Sequence, residues 1–423
     1  MADGIPQAGP RSTGRGILEF PLYLGSLGAW YGGLGLQMVL FPWLVAVVLE
    51  APAHLVGIAQ TALMAPSIVF ILLGGAVADH NDGRKLLIRY HLLAAAPPIL
   101  LAVAILGGAL SFPAIVVFGL AMGTLGAFAM PARDALLVHV AGANLPRAVA
   151  LVTGAQFLAQ LLGMIGASVA ETLTAPVLLC GQAVIMALGA AACWRLTPAP
   201  PSNAPSTTSR FAAILDGMRE AWSIPVVWPV IVAMMGIGVF YIGAFLVLLP
   251  VIIRDDYGGS ATEIAIVNFF FWGGALASIV AQVRLGALRR PGRAMLISLL
   301  VAAFVLLALS QHLPFYGLAS LCGIWGVTAG VNMTQGRTLV QIAAPASHRA
   351  RILSLFQLGF MGGAPIGAFL VGFIAKATDV HLATIPPALV MICLLAFLTL
   401  RSTLWRHQAI GGPVRVMLYP SRI

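Results

Sequence analysis

Charged residues are scarce in this 423-residue chain, where Asp, Glu, Lys and Arg together make up only 9% of the sequence. A water-soluble domain typically carries about 25% charged residues, so a globular protein in water is excluded. The chain is 60% hydrophobic with a mean hydropathy of +0.99, and apolar stretches recur from end to end. Stretches of about 20 apolar residues cross a bilayer as α-helices, which indicates an all-α integral membrane protein.

Cysteines are also few: Cys180, Cys193, Cys322 and Cys393 lie singly within apolar stretches. Their spacing favours neither a disulfide framework nor a zinc site. The sequence also lacks a phosphate-binding loop and paired carboxylates inside a span, and its polar segments are too short for a catalytic domain. We therefore expect no enzyme activity, no cofactor and no metal ion.

Hydropathy predicts six spans in each half of the chain. A stretch rich in Pro, Ser and Thr indicates a linker between the halves, followed by an amphipathic surface helix at 211–222. The predicted spans are 21–49, 54–78, 86–110, 112–131, 148–170, 176–196, 226–253, 263–284, 294–311, 315–335, 352–375 and 382–404. The predicted domains are a tail at 1–16, a six-helix half at 17–196, a linker with the amphipathic helix at 197–224, a second half at 225–404 and a tail at 405–423.

The net charge of +10 is interpreted by position, because Lys and Arg collect on the cytoplasmic side of membrane proteins. With a cytoplasmic N-terminus, all of the 23 cationic residues except Arg254 and Lys376 fall on that side. The basic balance therefore reflects topology, and we expect no nucleic-acid partner. These charges predict that both termini lie in the cytoplasm. We expect a multi-pass protein surrounded by the lipid bilayer, in the bacterial inner membrane.

One register relates basic and glycine residues of the two halves, which indicates an internal repeat. Two related six-helix halves are typical of transporters that work by alternating access. The pairs, each separated by 204 residues, are Arg133 with Arg337, Arg147 with Arg351, Gly126 with Gly330, and Gly163 with Gly367.

The segment between the second and third spans, GGAVADHNDGRKLLI at 74–88, places an acid at the end of one helix and two cations at the start of the next. Together with the first span and residues 130–151, this segment resembles the major facilitator superfamily, in the branch of siderophore exporters and macrolide-efflux-type pumps. The resemblance covers nearly the whole chain. It implies twelve transmembrane helices in two six-helix pseudo-repeats.

In that family the loop acid pairs with basic groups to lock one conformation, a role that the resemblance assigns here to Asp79, Arg84 and Lys85. His80 and Gly83 depart from the family pattern, which often has Arg at these positions. The alternative is a solvated loop whose charges only set the orientation in the membrane.

The resemblance also implies a central cavity, so polar and aromatic residues at mid-depth of the spans are the candidate substrate contacts. A satisfied hydrogen bond or aromatic packing between helices is the alternative for each. Because no charged residue lies at the middle of a span, the predicted cavity is neutral and suits an amphipathic or aromatic solute. The candidates are Trp30, Gln37, Thr124, Phe128, Gln156, Gln160, Tyr241, Asn268, Trp325 and Asn332.

Proton coupling would use acids near the ends of spans, and the candidates are Glu171, Asp134 and Glu19, each with an interfacial charge as the alternative. We predict a proton-coupled secondary transporter that exports a hydrophobic or amphipathic small molecule, such as a drug or siderophore, by alternating access. The direction of transport rests on the resemblance alone. Translocation of a lipid or lysolipid, or a scaffold role without transport, stays open on the same fold.

Overall fold

The computed structural model of the protein describes residues 16–141, 145–198, 218–286, 288–345 and 349–406. Within these ranges, the side chains that lie outside the description include those of Asp79, Arg147 and Arg351. Most residues of the two predicted tails and of the predicted linker are outside it as well. The domain boundaries drawn from the sequence therefore stay predictions.

Long helices make up nearly all of the described chain, which confirms the predicted all-α fold, and twelve of them fit the predicted count. The helices are α1 (Gly16–Trp43, continued by a π-helical turn, Leu44–Val48), α2 (Ala53–His80), α3 (Gly83–Leu106), α4 (Phe112–Ala141), α5 (Leu145–Ala167), α6 (Ala175–Trp194), α7 (Val227–Gly236, a π-helical turn Ile237–Ile242, and Gly243–Tyr257), α8 (Ala261–Leu285), α9 (Pro291–Ala308), α10 (Phe315–Ala343), α11 (Arg349–Ala377) and α12 (Ile385–Arg401). Within the described ranges, ten helices are long and apolar enough to cross a membrane, and α5 contains a shorter apolar segment, Leu151–Ala167.

Two helices continue past the ends that hydropathy predicted for their spans. α4 reaches Ala141 instead of residue 131, and α10 reaches Ala343 instead of residue 335. Pro131 lies inside α4. A proline removes one backbone N–H from the hydrogen bonds of a helix, but membrane helices tolerate this loss because neighbouring helices pack against them. Arg133, predicted in a loop, is therefore part of a helix.

The predicted amphipathic surface helix is described only in part. Residues 218–223 are helical and expose Met218 and Trp222, whereas residues 211–217 lie outside the described chain. This element therefore stays a prediction.

Helix packing follows the same order in both halves, as the predicted pseudo-repeat requires. α1 packs on α5, α2 on α4 and α3 on α6, while α7 packs on α11, α8 on α10 and α9 on α12. Glycines permit the closest of these approaches: a Cβ on Gly163 of α5 would clash with the Gly32 carbonyl of α1, and a Cβ on Gly367 of α11 would clash with the Val239 carbonyl of α7. Small residues at such crossings let membrane helices meet backbone to backbone.

The first six and last six helices meet along α2 with α11 and along α5 with α8. A Cβ on Gly57 of α2 would lie 2.5 Å from the Ala368 carbonyl oxygen of α11, so the two backbones are in contact there. Nearby, the Thr61 hydroxyl donates a hydrogen bond to the Pro365 carbonyl at 3.0 Å. These contacts lie toward the end of the molecule that carries the connection between α1 and α2, which we call the closed end.

Arg254, near the end of α7, adds a polar contact at the closed end. Its Nη1 atom donates hydrogen bonds to the carbonyl oxygens of Ala46 at 2.9 Å and of Ala51 at 2.8 Å. Ala46 belongs to the π-helical turn that ends α1, where carbonyl groups lack intrahelical partners. Thr262 of α8 likewise donates to the Ser168 carbonyl at 2.8 Å. Side chains of the last six helices thus donate hydrogen bonds to backbone carbonyl groups of the first six.

Candidate functional site

A cavity of about 430 Å³ lies between the first six and last six helices. α1, α2, α4 and α5 form most of its wall, and among the described residues only Leu246, Trp272 and Met361 line it from the last six helices. Six methionines line it, Met38, Met64, Met122, Met130, Met186 and Met361. A concave, largely apolar space of this size with a few polar groups is typical of a small-molecule site.

Four of the predicted substrate contacts line this cavity: Trp30, Gln37, Gln156 and Gln160. The Gln160 amide donates to Met38 Sδ at 2.9 Å. The Oε1 atom of Gln37 accepts a hydrogen bond from Gln182 Nε2 of α6 at 3.2 Å. These contacts orient the side-chain amides at the cavity wall.

Two further candidates, Thr124 and Phe128, lie on α4 but do not line the cavity. The Thr124 hydroxyl donates to the Leu120 carbonyl of its own helix at 2.7 Å. The Phe128 ring stacks on Phe70 of α2 with a centroid distance of 5.9 Å and lies 6.0 Å from the ring of Tyr90 on α3. Both side chains therefore take part in local packing, and substrate contact by them stays a prediction.

The candidates from the last six helices are buried away from the cavity. Trp325 packs edge to face against Tyr241 and Phe245, with centroids 6.0 and 5.6 Å away, and the Tyr241 hydroxyl donates to the Leu299 carbonyl at 2.6 Å. Asn332 and Asn268 donate to backbone carbonyls one turn earlier, at 2.7 and 2.9 Å. In this conformation these side chains bond and pack within their own half, and the buried Oδ1 atom of Asn332 has no hydrogen-bond partner in the described part of the chain.

Arg133 is a cavity residue that sequence reasoning placed in a loop. Only 7% of the residue is exposed. Its guanidinium lies 4.7 Å above the ring of Tyr31, which also lines the cavity. The predicted neutral cavity is therefore wrong: it contains one cation among the lining residues described. The signal that could have placed Arg133 is the apolar sequence that resumes at Leu136 after Pro131.

His91 of α3 is a second buried polar residue that the sequence did not single out. Its Nδ1 atom lies 2.9 Å from the Leu87 carbonyl oxygen, and its Nε2 atom lies 3.3 Å from the Ser26 carbonyl oxygen. The imidazole meets the Trp30 ring edge to face at 5.2 Å. His91 thus lies between two backbone carbonyl oxygens and packs against an aromatic side chain of the cavity wall.

The segment predicted as a conformational switch is compact. Asp82 begins α3 by accepting a hydrogen bond from the backbone N–H of Arg84 at 3.0 Å. The Arg84 guanidinium donates to the carbonyl oxygens of Cys193 and Trp194 at the end of α6, where a cation is favoured by the helix dipole. Lys85 is exposed. Because the Asp79 side chain is outside the described residues, its switch role stays a prediction.

None of the predicted proton-coupling acids lines the cavity. Glu171 and Asp134 are exposed, and Glu19 is half-buried near the start of α1. Asp134 directly follows Arg133 along α4, which makes it the acid nearest in sequence to the cavity. Their part in coupling stays a prediction.

Comparison with known proteins gives one family over most of the chain. The model of that family, described as a transmembrane secretion effector, matches residues 21–412. The multidrug efflux pump Tap of Mycobacterium tuberculosis is 24% identical over 402 residues, covering 90% of this chain and 93% of Tap. Tap of Mycolicibacterium fortuitum is 27% identical over 383 residues, covering 86% of this chain and 90% of that pump.

Solved structures share the fold at low identity. A mutant of the nucleoside transporter NupG superposes with a TM-score of 0.72 at 15% identity, covering 91% of this chain and 100% of that chain. A POT family transporter in complex with 5-aminolevulinic acid superposes with a TM-score of 0.70 at 14% identity, covering 94% of this chain and 98% of that chain.

Proposed function

Because the chain belongs to the transmembrane secretion effector family of the major facilitator superfamily, and so is a transporter and not an enzyme, we propose that it exports a hydrophobic or amphipathic small molecule. The observation that carries the proposal is the cavity between the two halves, with its methionine and aromatic wall. Its relatives named as multidrug efflux pumps support the direction.

The lining of the cavity narrows the class of solute. Methionine side chains are flexible and polarizable, so they adapt to apolar bodies of different shape. Gln37, Gln60, Gln156 and Gln160 offer amides that both donate and accept hydrogen bonds. Arg133 adds a cation to the same wall. We therefore expect a solute with an apolar body and an end that is anionic or rich in hydrogen-bond acceptors.

The contacts at the closed end support transport by alternating access. Under the predicted topology the closed end faces outward, and the cavity extends toward Arg133 at the cytoplasmic end. This conformation would accept solute from the cytoplasm. Release to the outside requires the hydrogen bonds of Arg254, Thr262 and Thr61 to break while the two halves rock about the cavity.

The proton gradient is the proposed energy source, with Asp134 as the preferred coupling residue. Its position next to Arg133 means that adding or removing a proton there changes the field acting on the cation of the cavity wall. Glu171 and Glu19 lie farther along the chain from any lining cation and rank below it.

The proposal is tested by measuring the intracellular accumulation of dyes, antibiotics and siderophores in an efflux-deficient bacterium that expresses the protein in its inner membrane. The strains would carry empty vector, the native protein, Asp79→Asn, Gly126→Leu or Gly181→Leu. A Cβ on Gly126 or on Gly181 would meet open space, but only Gly126 lines the cavity. We expect the native protein and Gly181→Leu to lower accumulation of at least one compound, and Gly126→Leu to fail because its side chain fills the site.

A proton uncoupler separates the two parts of the proposal. If export stops on adding the uncoupler and in Asp79→Asn, proton coupling and the switch are both supported. Export that survives the uncoupler contradicts proton coupling and leaves the exporter in place. If no compound responds although the native protein is inserted in the membrane, export of these solutes is rejected, and lipid translocation or scaffolding becomes the leading function.

A further inference from the structure

We propose that Asp256, His312 and His381 form a site for a divalent transition metal at the closed end. The fold brings together the end of α7, the connection between α9 and α10, and the connection between α11 and α12. One ligand atom of each residue lies within 4.8 Å of the other two. The three residues are far apart in the sequence, which is why sequence reasoning expected no metal ion.

The hydrogen bonding of His381 is the strongest support for the proposal. Its Nδ1 atom lies 3.1 Å from the Leu309 carbonyl oxygen, an acceptor, so Nδ1 carries the proton and donates it. The neutral Nε2 atom then has a free lone pair and lies only 3.0 Å from Asp256 Oδ2. Two acceptors face each other, and Nε2 makes no hydrogen bond in the described part of the chain. A cation bound by both atoms, or a proton on either of them, relieves this arrangement.

The surroundings favour a metal ion over a proton alone. The His381 side chain is only 7% exposed, and a backbone carbonyl that fixes the tautomer of a histidine is the usual support of a metal ligand. His312 supplies a second imidazole, with Nδ1 3.4 Å from the same carboxylate oxygen and its ring 4.2 Å from that of His381. A proton would need only one imidazole; here two converge on one carboxylate.

The donor set selects the class of metal. Two imidazoles and one carboxylate suit Zn²⁺, Cu²⁺ or Ni²⁺, whereas Mg²⁺ and Ca²⁺ prefer oxygen ligands alone. Zinc binds nitrogen at about 2.0–2.1 Å, and the 79% exposed side chain of His312 is open to solvent, from which the metal would enter. A water molecule would complete a tetrahedral shell.

The site joins three segments next to the contact between the halves. Asp256 lies two residues beyond Arg254, whose guanidinium binds the end of α1. A metal that holds the end of α7 would therefore brace the arginine that keeps the closed end shut. Binding can be measured without transport, so the metal site stands or falls independently of the exporter proposal.

The test is zinc binding to the purified full-length protein in detergent, with its affinity tag removed and after treatment with a chelator. Isothermal titration at neutral pH and thermal unfolding with and without Zn²⁺ are the two measurements. We expect one zinc per chain, a higher unfolding temperature with zinc, and an affinity at least about tenfold lower in His312→Gln, which loses one ligand. His139→Gln changes an exposed histidine of α4 and serves as the matched control.

His312→Gln is the decisive variant because the exposed side chain contributes little packing, and the buried contact between His381 and Asp256 is retained. A normal size-exclusion profile shows that it is folded. Equal zinc affinity in native protein and His312→Gln overturns the proposal. So does a native protein that binds none of Zn²⁺, Cu²⁺ and Ni²⁺ at micromolar concentration and whose unfolding temperature changes with pH alone, because the cluster then holds only a proton.

Discussion

The two halves of the molecule use one repeat for different purposes. Gly163 and Gly367, 204 residues apart, have equivalent surroundings, because each lets the fifth helix of its half contact the first. The surroundings of Gly126 and Gly330 differ. Gly126 borders the cavity, and a Cβ there would meet open space, whereas a Cβ on Gly330 would lie 2.5 Å from the Ala275 carbonyl oxygen of α8.

The repeat-related arginines also differ in their burial. Arg133 is buried at the cavity wall, and its counterpart Arg337 is exposed. In the last six helices the corresponding interior is filled by an aromatic cluster of Tyr241, Phe245, Phe271 and Trp325. The comparison teaches that the repeat specifies how the helices cross, while individual side chains decide which half encloses space.

The glycine pair offers the strongest way to break this comparison. We expect Gly330→Leu to abolish recovery of folded protein, because the new side chain meets α8 backbone that cannot move aside, and overpacking costs about 1–3 kcal/mol or more. The same substitution at Gly126 should leave the protein folded. Size-exclusion chromatography of detergent extracts measures both. Equal recovery of the two variants would mean that the halves are packed alike.

The tryptophans sharpen the comparison through stability. Trp325 is 3% exposed inside the aromatic cluster, so Trp325→Ala should lower the free energy of unfolding by about 3–5 kcal/mol. Trp30 borders the cavity and is 8% exposed, so Trp30→Ala should cost somewhat less, because fewer atoms pack against the part of the side chain that borders the cavity. Thermal unfolding in one detergent compares them. A loss for Trp30→Ala larger than for Trp325→Ala would contradict the position of Trp30 at the cavity wall.

The arginine pair tests function instead of packing. We expect Arg133→Gln to reduce export about tenfold, the loss typical of one charge-assisted contact, while Arg337→Gln leaves export near the native level. The accumulation assay measures both, with membrane content checked by immunoblot. If the exposed arginine proves as important as the buried one, the cavity cation has no special role.

The smallest expected effect belongs to the segment between α2 and α3. Arg84→Gln removes a cation from the end of α6 and should lower the free energy of unfolding by about 1 kcal/mol or less. Lys85→Gln, an exposed neighbour with the same charge, is the control and should leave the unfolding temperature unchanged. Should the two variants behave identically, the bond from Arg84 to α6 contributes nothing to stability.

Sequence reasoning reached the fold and part of the site. The low charge and recurring apolar stretches predicted the all-α membrane fold, and helical spacing placed Trp30, Gln37, Gln156 and Gln160 among the cavity candidates that the structure brings together. It missed Arg133, because a proline was taken as the end of a span. Tyr241 and Asn332 have the same polar character as Gln37, and nothing in a linear sequence distinguishes a side chain that faces a cavity from one that faces a neighbouring helix.

The sequence by itself determined that the chain lies in a membrane, that its helices are long and apolar, and that two halves repeat, because hydropathy and periodicity are local properties of consecutive residues. Only the tertiary structure decided that the first six helices line most of the cavity, and that Asp256, His312 and His381 meet at the closed end. Both arrangements depend on how each helix is rotated and on which connections lie side by side. Packing between helices sets both.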